Sequence, residues 1–237
     1  ESCGIDATIV VPFDMEFAKI SARDFVKVLL VEKIGIKAIV VGYDYRFGNG
    51  REGNIDFLRK MGEEYDFQVD VVSGLQIADS VVSSTAIRHL IKDGELKEAN
   101  RLLGRCYEIR GEVIPGRQRG GRLLGFPTAN LSLNSLAQPK PGVYAVRVEI
   151  EGKRYGGAAN LGYNPTFGGE ALSLETFIFD FDQDIYGKTI TVTFVDRLRD
   201  ETKFPGIEAL MEQIRKDVEK AKTVLAEADR LGVCKTG

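Results

Sequence analysis

Residues 116–130 combine the residue types that bind phosphate: four glycines, three arginines and, at the end of the segment, the oxygen-bearing pair Thr128 and Asn130. Glycines let backbone N–H groups approach a phosphate closely, and arginines offset its charge. The candidate binding residues of this segment are Gly116, Arg122, Gly125, Pro127, Thr128 and Asn130. No Gly-Lys-Ser/Thr sequence follows, so the segment is not a Walker loop. A structural loop would explain the glycines, but it explains the arginines and the polar pair less well.

Thr128 and Asn130 offer neutral oxygens two residues apart. Such oxygens suit Mg²⁺, a hard cation that keeps several waters and shares the phosphates of a nucleotide. The single histidine, His89, excludes a histidine-based zinc site and argues against a Ser-His-Asp triad. We interpret His89 as a surface or packing residue. The sequence therefore predicts an oxygen-ligated magnesium site at Thr128 and Asn130.

Glu175 is the candidate catalytic carboxylate. It lies in the run 172–181, which reads as a strand, and there it shares a face with Phe177, Phe179 and Phe181. A carboxylate beside aromatic side chains is partly desolvated, which tends to raise its pKa and suits a general base. The alternative is that Glu175 only lines the mouth of a barrel, and its spacing does not decide between the two.

Residues 82–88 form a second candidate phosphate site, in the first half of the chain. Ser83 or Ser84 stands at a helix N-cap position, with the hydroxyl of Thr85 nearby and Arg88 one turn further on. First-turn N–H groups bind anions, and an arginine grips phosphate through its planar fork. A capped helix with a surface arginine explains the same residues about as well.

Residues 48–53 match G-x-G-x-x-G letter for letter. A dinucleotide fold needs its first glycine at the end of the strand, but residues 43–47 intervene here. No acidic residue stands clearly at the distance expected of the ribose ligand. We therefore do not favour an NAD site, which leaves a plain glycine-rich loop or a different nucleotide-binding loop.

Bulk composition is that of a globular protein, with 43% hydrophobic and 28% charged residues. The net charge of −3 argues against binding to nucleic acid or anionic lipid by bulk electrostatics, and no apolar stretch reaches the length of a membrane span. The three cysteines are scattered, and no N-terminal basic-then-apolar signal is visible. We expect reduced thiols and a cytoplasmic location.

The elements that position these residues change type along the chain. Strands are predicted at 7–13, 37–43 and 68–72, and helices after the Ser21–Asp24 capping box and at 54–65, 84–93 and 95–103. This alternation indicates a parallel sheet covered by helices. Strands at 107–114, 142–150, 172–181 and 189–195 follow without intervening helices, which indicates an antiparallel sheet or barrel. A closing helix at 206–231 carries an apolar stripe that packs on it.

With these residues assembled, the chain resembles bacterial bifunctional riboflavin kinase/FAD synthetases along essentially all of its 237 residues. The most specific matches in its second half are 125–130, 160–167, 174–177 and 198–204. In its first half, residues 42–48 and 83–88 look like the adenylyltransferase signatures of that family.

The resemblance implies a fold of α/β plus all-β type. Residues 1–104 are expected to form a partial Rossmann-like nucleotidyltransferase domain with a parallel sheet. Residues 105–237 are expected to form the riboflavin kinase domain, a small antiparallel β-barrel with a C-terminal helix. The ligands implied are the small molecules ATP, riboflavin, FMN and FAD together with Mg²⁺, without nucleic acid or membrane.

The resemblance also implies roles for individual residues. Thr128 and Asn130 would hold Mg²⁺ and the ATP phosphates, while Glu175 would deprotonate the 5′-hydroxyl of riboflavin. Arg199, on a mobile loop, would help to order flavin and phosphate. The implied nucleotide-binding residues of the adenylyltransferase are Gly42, Asp44, Phe47, Ser83, Ser84, Thr85 and Arg88.

One departure from the family concerns the first domain. The family's adenylyltransferase uses an N-terminal His-x-Gly-His motif on its first strand–helix turn, and this chain contains neither that motif nor a strand before it. Because the chain opens with Glu1 rather than methionine, we expect a fragment that begins inside this domain. FMN adenylylation is then expected to be weak or absent, although the parent protein performs both reactions.

Two further functions remain as alternatives. A non-catalytic flavin carrier on the same barrel would need neither magnesium ligands nor a base, so the presence of Thr128, Asn130 and Glu175 together argues against it. A nicotinamide oxidoreductase rests only on residues 48–53. Riboflavin-dependent release of ADP distinguishes the kinase from both.

Overall fold

The computed structural model of the chain describes residues 4–77, 80–115, 128–133, 137–164 and 171–234. Four predicted site residues lie outside these ranges: Gly116, Arg122, Gly125 and Pro127. The chain divides into two compact units, Glu1–Val81 and Val82–Gly237.

The first unit contains a two-stranded parallel sheet. Strand β1 (Ala38–Gly42) pairs with β2 (Gln68–Val72), and helix α2 (Ile55–Tyr65) connects them. Helix α1 (Ala22–Asp24) continues as a π-helical segment, Phe25–Ile34. Two 3₁₀ turns, Phe17–Lys19 and Asn49–Arg51, and a short antiparallel pair, β3 (Gln76–Ile77) with β4 (Ser80–Val81), complete the unit. The predicted βαβ arrangement is thus present.

Side-chain caps explain where the helices of this unit begin. The backbone N–H of Asp24 donates to the Ser21 hydroxyl at 3.1 Å, as the predicted capping box requires. The backbone N–H of Phe57 likewise donates to the Asn54 side-chain oxygen at 2.8 Å. Each cap satisfies one of the donors that a helix N-terminus leaves unpaired.

The prediction of a strand at residues 7–13 is wrong. These residues adopt no regular secondary structure, and Ile9, Val10 and Phe13 are 68%, 85% and 79% exposed. An apolar run predicts burial, but a strand also needs a neighbour for its backbone N–H and C=O groups. The run itself carries no information about that neighbour.

Within the described residues, the second unit is a closed antiparallel barrel of six strands with three helices. The barrel and its C-terminal helix agree with the prediction, whereas the other two helices were predicted to belong to the first domain. The strands of the barrel are β5 (Tyr107–Ile114), β6 (Thr128–Ser132), β7 (Gly142–Ile150), β8 (Lys153–Asn164), β9 (Ala171–Ile178) and β10 (Thr189–Arg199). Around the barrel their order is β10-β5-β6-β9-β8-β7, with β7 also paired to β10. The helices are α3 (Ser84–Asp93), α4 (Leu96–Leu103) and α5 (Ile207–Leu231).

Side chains of strand β7 alternate between the interior and the outer face of the barrel. Tyr144 and Val146 point into an apolar interior that also contains Leu131, Leu161 and Leu174, all fully buried. Val143 and Ala145 point outward and are buried under α5, where Ala221 and Leu225 pack against them. The apolar stripe of α5 therefore covers part of the outer barrel surface, as its spacing predicts.

Helices α3 and α4 belong to the barrel unit, although the strand-rich pattern begins only after Gly104. Ile91, Leu96 and Ala99 are buried in the same cluster as the barrel interior. The Asn100 side chain also bridges to the barrel, donating to the Phe194 carbonyl at 3.1 Å and accepting from the Tyr107 N–H at 2.7 Å. The compact units consequently divide at Val81, because apolar burial and not the type of secondary structure determines which segments pack together.

Two of the cysteines form a disulfide, whereas the sequence predicted reduced thiols. Cys106, just before β5, and Cys234, just after α5, form a disulfide across 128 residues of sequence, with their Cα atoms 5.1 Å apart. The expectation of reduced thiols rested on scattered spacing, and spacing does not report distance in a folded chain.

Candidate active site

A row of three polar side chains crosses the barrel wall. Glu175 on β9 pairs with Asn130 on β6 and with Asn160 on β8. Directly opposed residues of antiparallel strands point to the same face, with their Cβ atoms about 4.5–5.5 Å apart. One carboxylate is therefore flanked by a carboxamide on each side. In the next row Phe177 lies between Thr128 and Ala158, so Thr128 stands on the same face as Glu175.

This face forms one wall of a cavity of about 340 Å³, a size suited to a small organic molecule. Helix α5 provides the opposite wall, and residues 199–204 contribute to the lining. The lining includes the polar or charged side chains of Thr128, Asn160, Glu175, Arg199, Glu201 and Asp217, with Phe177 and Phe204 among its apolar ones. Asn130, on the same strand as Thr128, is buried, with 8% of it exposed. The cavity thus combines an apolar wall with a few polar groups.

The environment of Glu175 favours its neutral form more than water does. Burial raises the pKa of the Glu175 carboxyl, and the like charge of Glu201 raises it further. Both effects disfavour the ionised form, the first by desolvation and the second by repulsion. A carboxyl group with a raised pKa is a stronger proton acceptor when it is ionised, as a general base requires. The desolvation inferred from the sequence is confirmed.

Glycine at position 162 lets Glu201 approach the barrel wall. A Cβ atom at Gly162 would lie 2.0 Å from a carboxylate oxygen of Glu201. Gly162 is buried and adjoins Leu161 on β8, the strand that also carries Asn160. The missing side chain therefore makes room for the second carboxylate beside the row of Glu175.

Arg199 is the last residue of β10 rather than a loop residue. Its Nε donates to both carboxylate oxygens of Asp217 at 2.9 and 3.0 Å, and its Nη2 donates to Asp217 Oδ2 at 2.7 Å. Its Nη1 donates to the Asp200 carbonyl at 2.9 Å. The guanidinium also lies 5.7 Å from the centre of the Phe204 ring. Arg199 thus presents a fixed positive charge at the cavity.

Thr128 and Asn130 fit the chemistry of a magnesium site. The Asn130 amide nitrogen donates to the Thr128 carbonyl at 3.4 Å, which leaves the Asn130 side-chain oxygen as an acceptor. Neutral oxygens of this kind suit Mg²⁺ that also binds phosphates and water. In the described part of the chain, no group of three or more His, Cys, Asp or Glu side chains could hold a metal.

The predicted adenylyltransferase residues fall in both units. In the first unit, Gly42 is the last residue of β1 and Asp44 is exposed. Phe47, in contrast, is buried, and its ring packs among those of Phe25, Tyr45 and Phe57. In the second, Ser83 caps α3, its hydroxyl accepting from the Ala86 N–H at 3.1 Å. Ser84, Thr85, Arg88 and His89 are exposed on that helix.

Among the polar residues that line the cavity, sequence reasoning gave no role to Asn160, Glu201 or Asp217. The first two lie inside motifs already noted, at 160–167 and 198–204, but neither received a role. Asp217 follows Ile214 by three positions and precedes Ala221 by four, so it is an acidic residue on the apolar stripe of α5. That irregularity was the available signal.

Comparison with known proteins connects this cavity to a family. The riboflavin kinase family (Flavokinase) matches residues 103–225, and the FAD synthetase family matches residues 1–86. The chain is 40% identical over 223 residues to the bifunctional riboflavin kinase/FMN adenylyltransferase of Haemophilus influenzae, covering 94% of this chain and 72% of that protein. The chain belongs to the bifunctional riboflavin kinase/FMN adenylyltransferase family.

A second curated relative and a solved structure also match most of the chain. The enzyme of the same name from Listeria monocytogenes is 40% identical over 228 residues, covering 95% of this chain and 72% of that protein. A crystal structure described as a macrolide-efflux protein from Streptococcus pneumoniae has a TM-score of 0.76 and 40% identity, covering 89% of this chain and 67% of that chain. Within the described residues, the helices include none whose length and apolar character would let it cross a bilayer.

The cavity lies in the part of the chain that matches the riboflavin kinase family. Residues 128–218 supply the cavity lining, and they lie inside the riboflavin kinase match. The resemblance drawn from the motifs is confirmed, as is the α/β plus all-β fold class.

Proposed function

We propose that the barrel cavity binds riboflavin and that the chain transfers the γ-phosphoryl group of ATP to the riboflavin 5′-hydroxyl, giving FMN and ADP. The observation that carries this proposal is the desolvated carboxylate of Glu175 between Asn130 and Asn160. A flavin carrier has no use for such a group, because ionising it in a partly buried site costs free energy. The reaction takes place in the cytoplasm, where ATP is available to a kinase.

In this reaction Glu175 accepts the proton of the riboflavin 5′-hydroxyl. The oxygen forms a bond to the γ-phosphorus, the bond from that phosphorus to the β,γ-bridging oxygen breaks, and its electron pair leaves with ADP. Phosphoryl transfer depends mainly on positioning and on charge stabilisation. Asn130 and Asn160 flank the carboxylate on the two neighbouring strands, and Arg199 contributes positive charge.

Thr128 and Asn130 would hold Mg²⁺ through their neutral oxygens. The bound ion would neutralise charge on the phosphates of the nucleotide. The glycine- and arginine-rich segment that ends at Thr128 would contact the same phosphates, through Gly116, Arg122, Gly125 and Pro127 as the resemblance implies.

The first unit carries the FAD synthetase match. The family's His-x-Gly-His motif has no counterpart within residues 1–237, whose one histidine is His89. We infer that these 237 residues alone make little or no FAD from FMN and ATP, while Gly42, Asp44, Ser83 and Arg88 bind nucleotide weakly.

The kinase proposal is tested by incubating the purified chain with riboflavin, ATP and Mg²⁺. Flavins are separated by chromatography, and ADP is measured in a coupled assay. We expect FMN and ADP in equal amounts, with no ADP above background when riboflavin is left out. Folded protein that binds riboflavin but forms no FMN would support the carrier instead.

A further inference from the structure

The ion pair between Arg199 and Asp217 joins the barrel to helix α5 at the wall of the cavity. Asp217 is 5% exposed, and both residues line the cavity. Gln213, one turn earlier on α5, donates to Asp217 Oδ1 at 2.9 Å. The carboxylate thus accepts from two side chains and is held in one orientation.

This pair restricts the guanidinium in two ways. Asp217 takes the edge formed by Nε and Nη2, while the Phe204 ring lies against the group. Of the five N–H groups of an arginine, three are engaged by Asp217 and Asp200. One N–H on Nη1 and one on Nη2 remain without an acceptor among the described residues. Two such donors match two oxygens of a phosphoryl group.

Stability alone does not account for this arrangement. The attraction in a buried ion pair is largely offset by the cost of removing both charges from water. A second Arg–Asp pair, Arg147 with Asp229, also joins the barrel to α5 but lies outside the cavity lining, with the Asp229 side chain 66% exposed. The two pairs make similar connections, and they differ in burial and in their position relative to the cavity.

We propose that Asp217 is a positioning residue for phosphoryl transfer. It holds Arg199 so that the two remaining N–H groups of the guanidinium donate to the phosphoryl group during its transfer. The inference rests on the proposed kinase activity. Asp217 touches neither substrate nor the reacting atoms, and it acts only through the orientation of Arg199.

The test compares Asp217→Asn in two backgrounds, the natural chain and Arg199→Gln. Asparagine keeps the size of Asp217 and removes its charge. We expect kcat for riboflavin phosphorylation to fall by about 10- to 100-fold in the natural chain, the scale of a slightly misplaced catalytic group, with KM for riboflavin little changed. In the Arg199→Gln background, Asp217→Asn should have little further effect.

Asp229→Asn is the matched control, and it should leave kcat and KM near those of the natural chain. Equal losses from Asp217→Asn in both backgrounds would overturn the inference, because a purely structural carboxylate acts independently of Arg199. Circular dichroism and thermal unfolding verify that each variant is folded. If Asp217→Asn does not fold, Gln213→Ala replaces it, with a smaller loss of kcat expected in the natural chain and none in the Arg199→Gln chain.

FMN formation by the natural chain distinguishes a failure of the proposed kinase activity from a failure of the proposed role of Asp217. Its failure to form FMN would contradict the kinase activity itself. Normal FMN formation with an unaltered kcat in Asp217→Asn would overturn only the positioning role.

Discussion

Replacing Glu175 by glutamine keeps the size of the side chain and removes its ability to accept a proton. Asn130 and Asn160 still flank the position, so the barrel wall retains its shape. Loss of a general base typically lowers a rate by about 10²–10⁴-fold, which corresponds to about 3–5 kcal/mol of activation free energy. We therefore expect kcat to fall within that range. ATP affinity should change little, because Glu175 is assigned to the acceptor hydroxyl.

Replacing Glu175 by glutamine lowers kcat, but it should increase the stability of the folded chain. Burial and Glu201 raise the pKa of Glu175 in the folded chain, so the folded state holds its proton to higher pH than the unfolded state. Above the folded pKa, ionisation of Glu175 consequently opposes folding, and below the unfolded pKa it has no effect. Glutamine should raise the free energy of unfolding at neutral and alkaline pH, and this gain should disappear as the pH falls.

Turnover is measured from FMN formation under saturating ATP and riboflavin, and stability from denaturant titrations at acidic and neutral pH. The control is Glu149→Gln, which alters an exposed carboxylate on β7 that pairs with Arg154. It should leave kcat near that of the natural chain. Near-normal turnover in Glu175→Gln would refute the base assignment and leave Glu175 as a residue that only lines the barrel. A loss of stability at neutral pH would refute the account of its desolvation.

Four other outcomes follow from the sequence and the structure. Glu201→Gln removes the like charge that raises the pKa of Glu175, so the acidic limb of the kcat/KM profile should move to lower pH; an unmoved limb contradicts this coupling. Alanine at Gly157 places a Cβ 2.8 Å from the Phe177 carbonyl oxygen and should lower the free energy of unfolding by about 1–3 kcal/mol; an unchanged denaturation midpoint is the contrary result. Cys234→Ser removes a cross-link that spans 128 residues, worth about 5 kcal/mol in the loop-entropy estimate. Equal unfolding midpoints for the natural chain with and without reductant would contradict that effect. Residues 1–237, supplied with FMN, ATP and Mg²⁺, should form negligible FAD and pyrophosphate, and robust FAD synthesis would show that the histidine motif is dispensable.

Local sequence was sufficient for the elements whose signals are local. The capping residues Ser21 and Asn54 mark helix starts in the sequence and cap those helices in the fold. The stripe of α5 also predicted the burial of Val218, Ala221 and Leu225, because side-chain direction follows the period of the helix, whereas Ile207 at its start is 65% exposed. The desolvation of Glu175 followed in the same way, from the aromatic residues that share its face.

Pairing between distant segments was not available from local pattern. The apolar run 7–13 looked like a strand and is not one, whereas β8 carries Asn160 and was not recognised. The neighbours of Glu175 depend on the register of β6 and β8 against β9, which joins positions 130, 175 and 160. A strand's own sequence determines which of its faces is apolar, but the partner strand determines which residue lies opposite.

The sequence by itself determined the family and the two types of fold, and it singled out Glu175 as the candidate base, because short motifs and periodic patterns carry that information. Only the tertiary structure brought Asp217 to Arg199, Glu201 to the wall beside Glu175 and Cys234 to Cys106. These contacts join residues from different elements, and closure of the barrel with the packing of α5 decides which of them meet. Interactions across such distances arise from burial of the apolar faces as a whole, so no local stretch of sequence contains them.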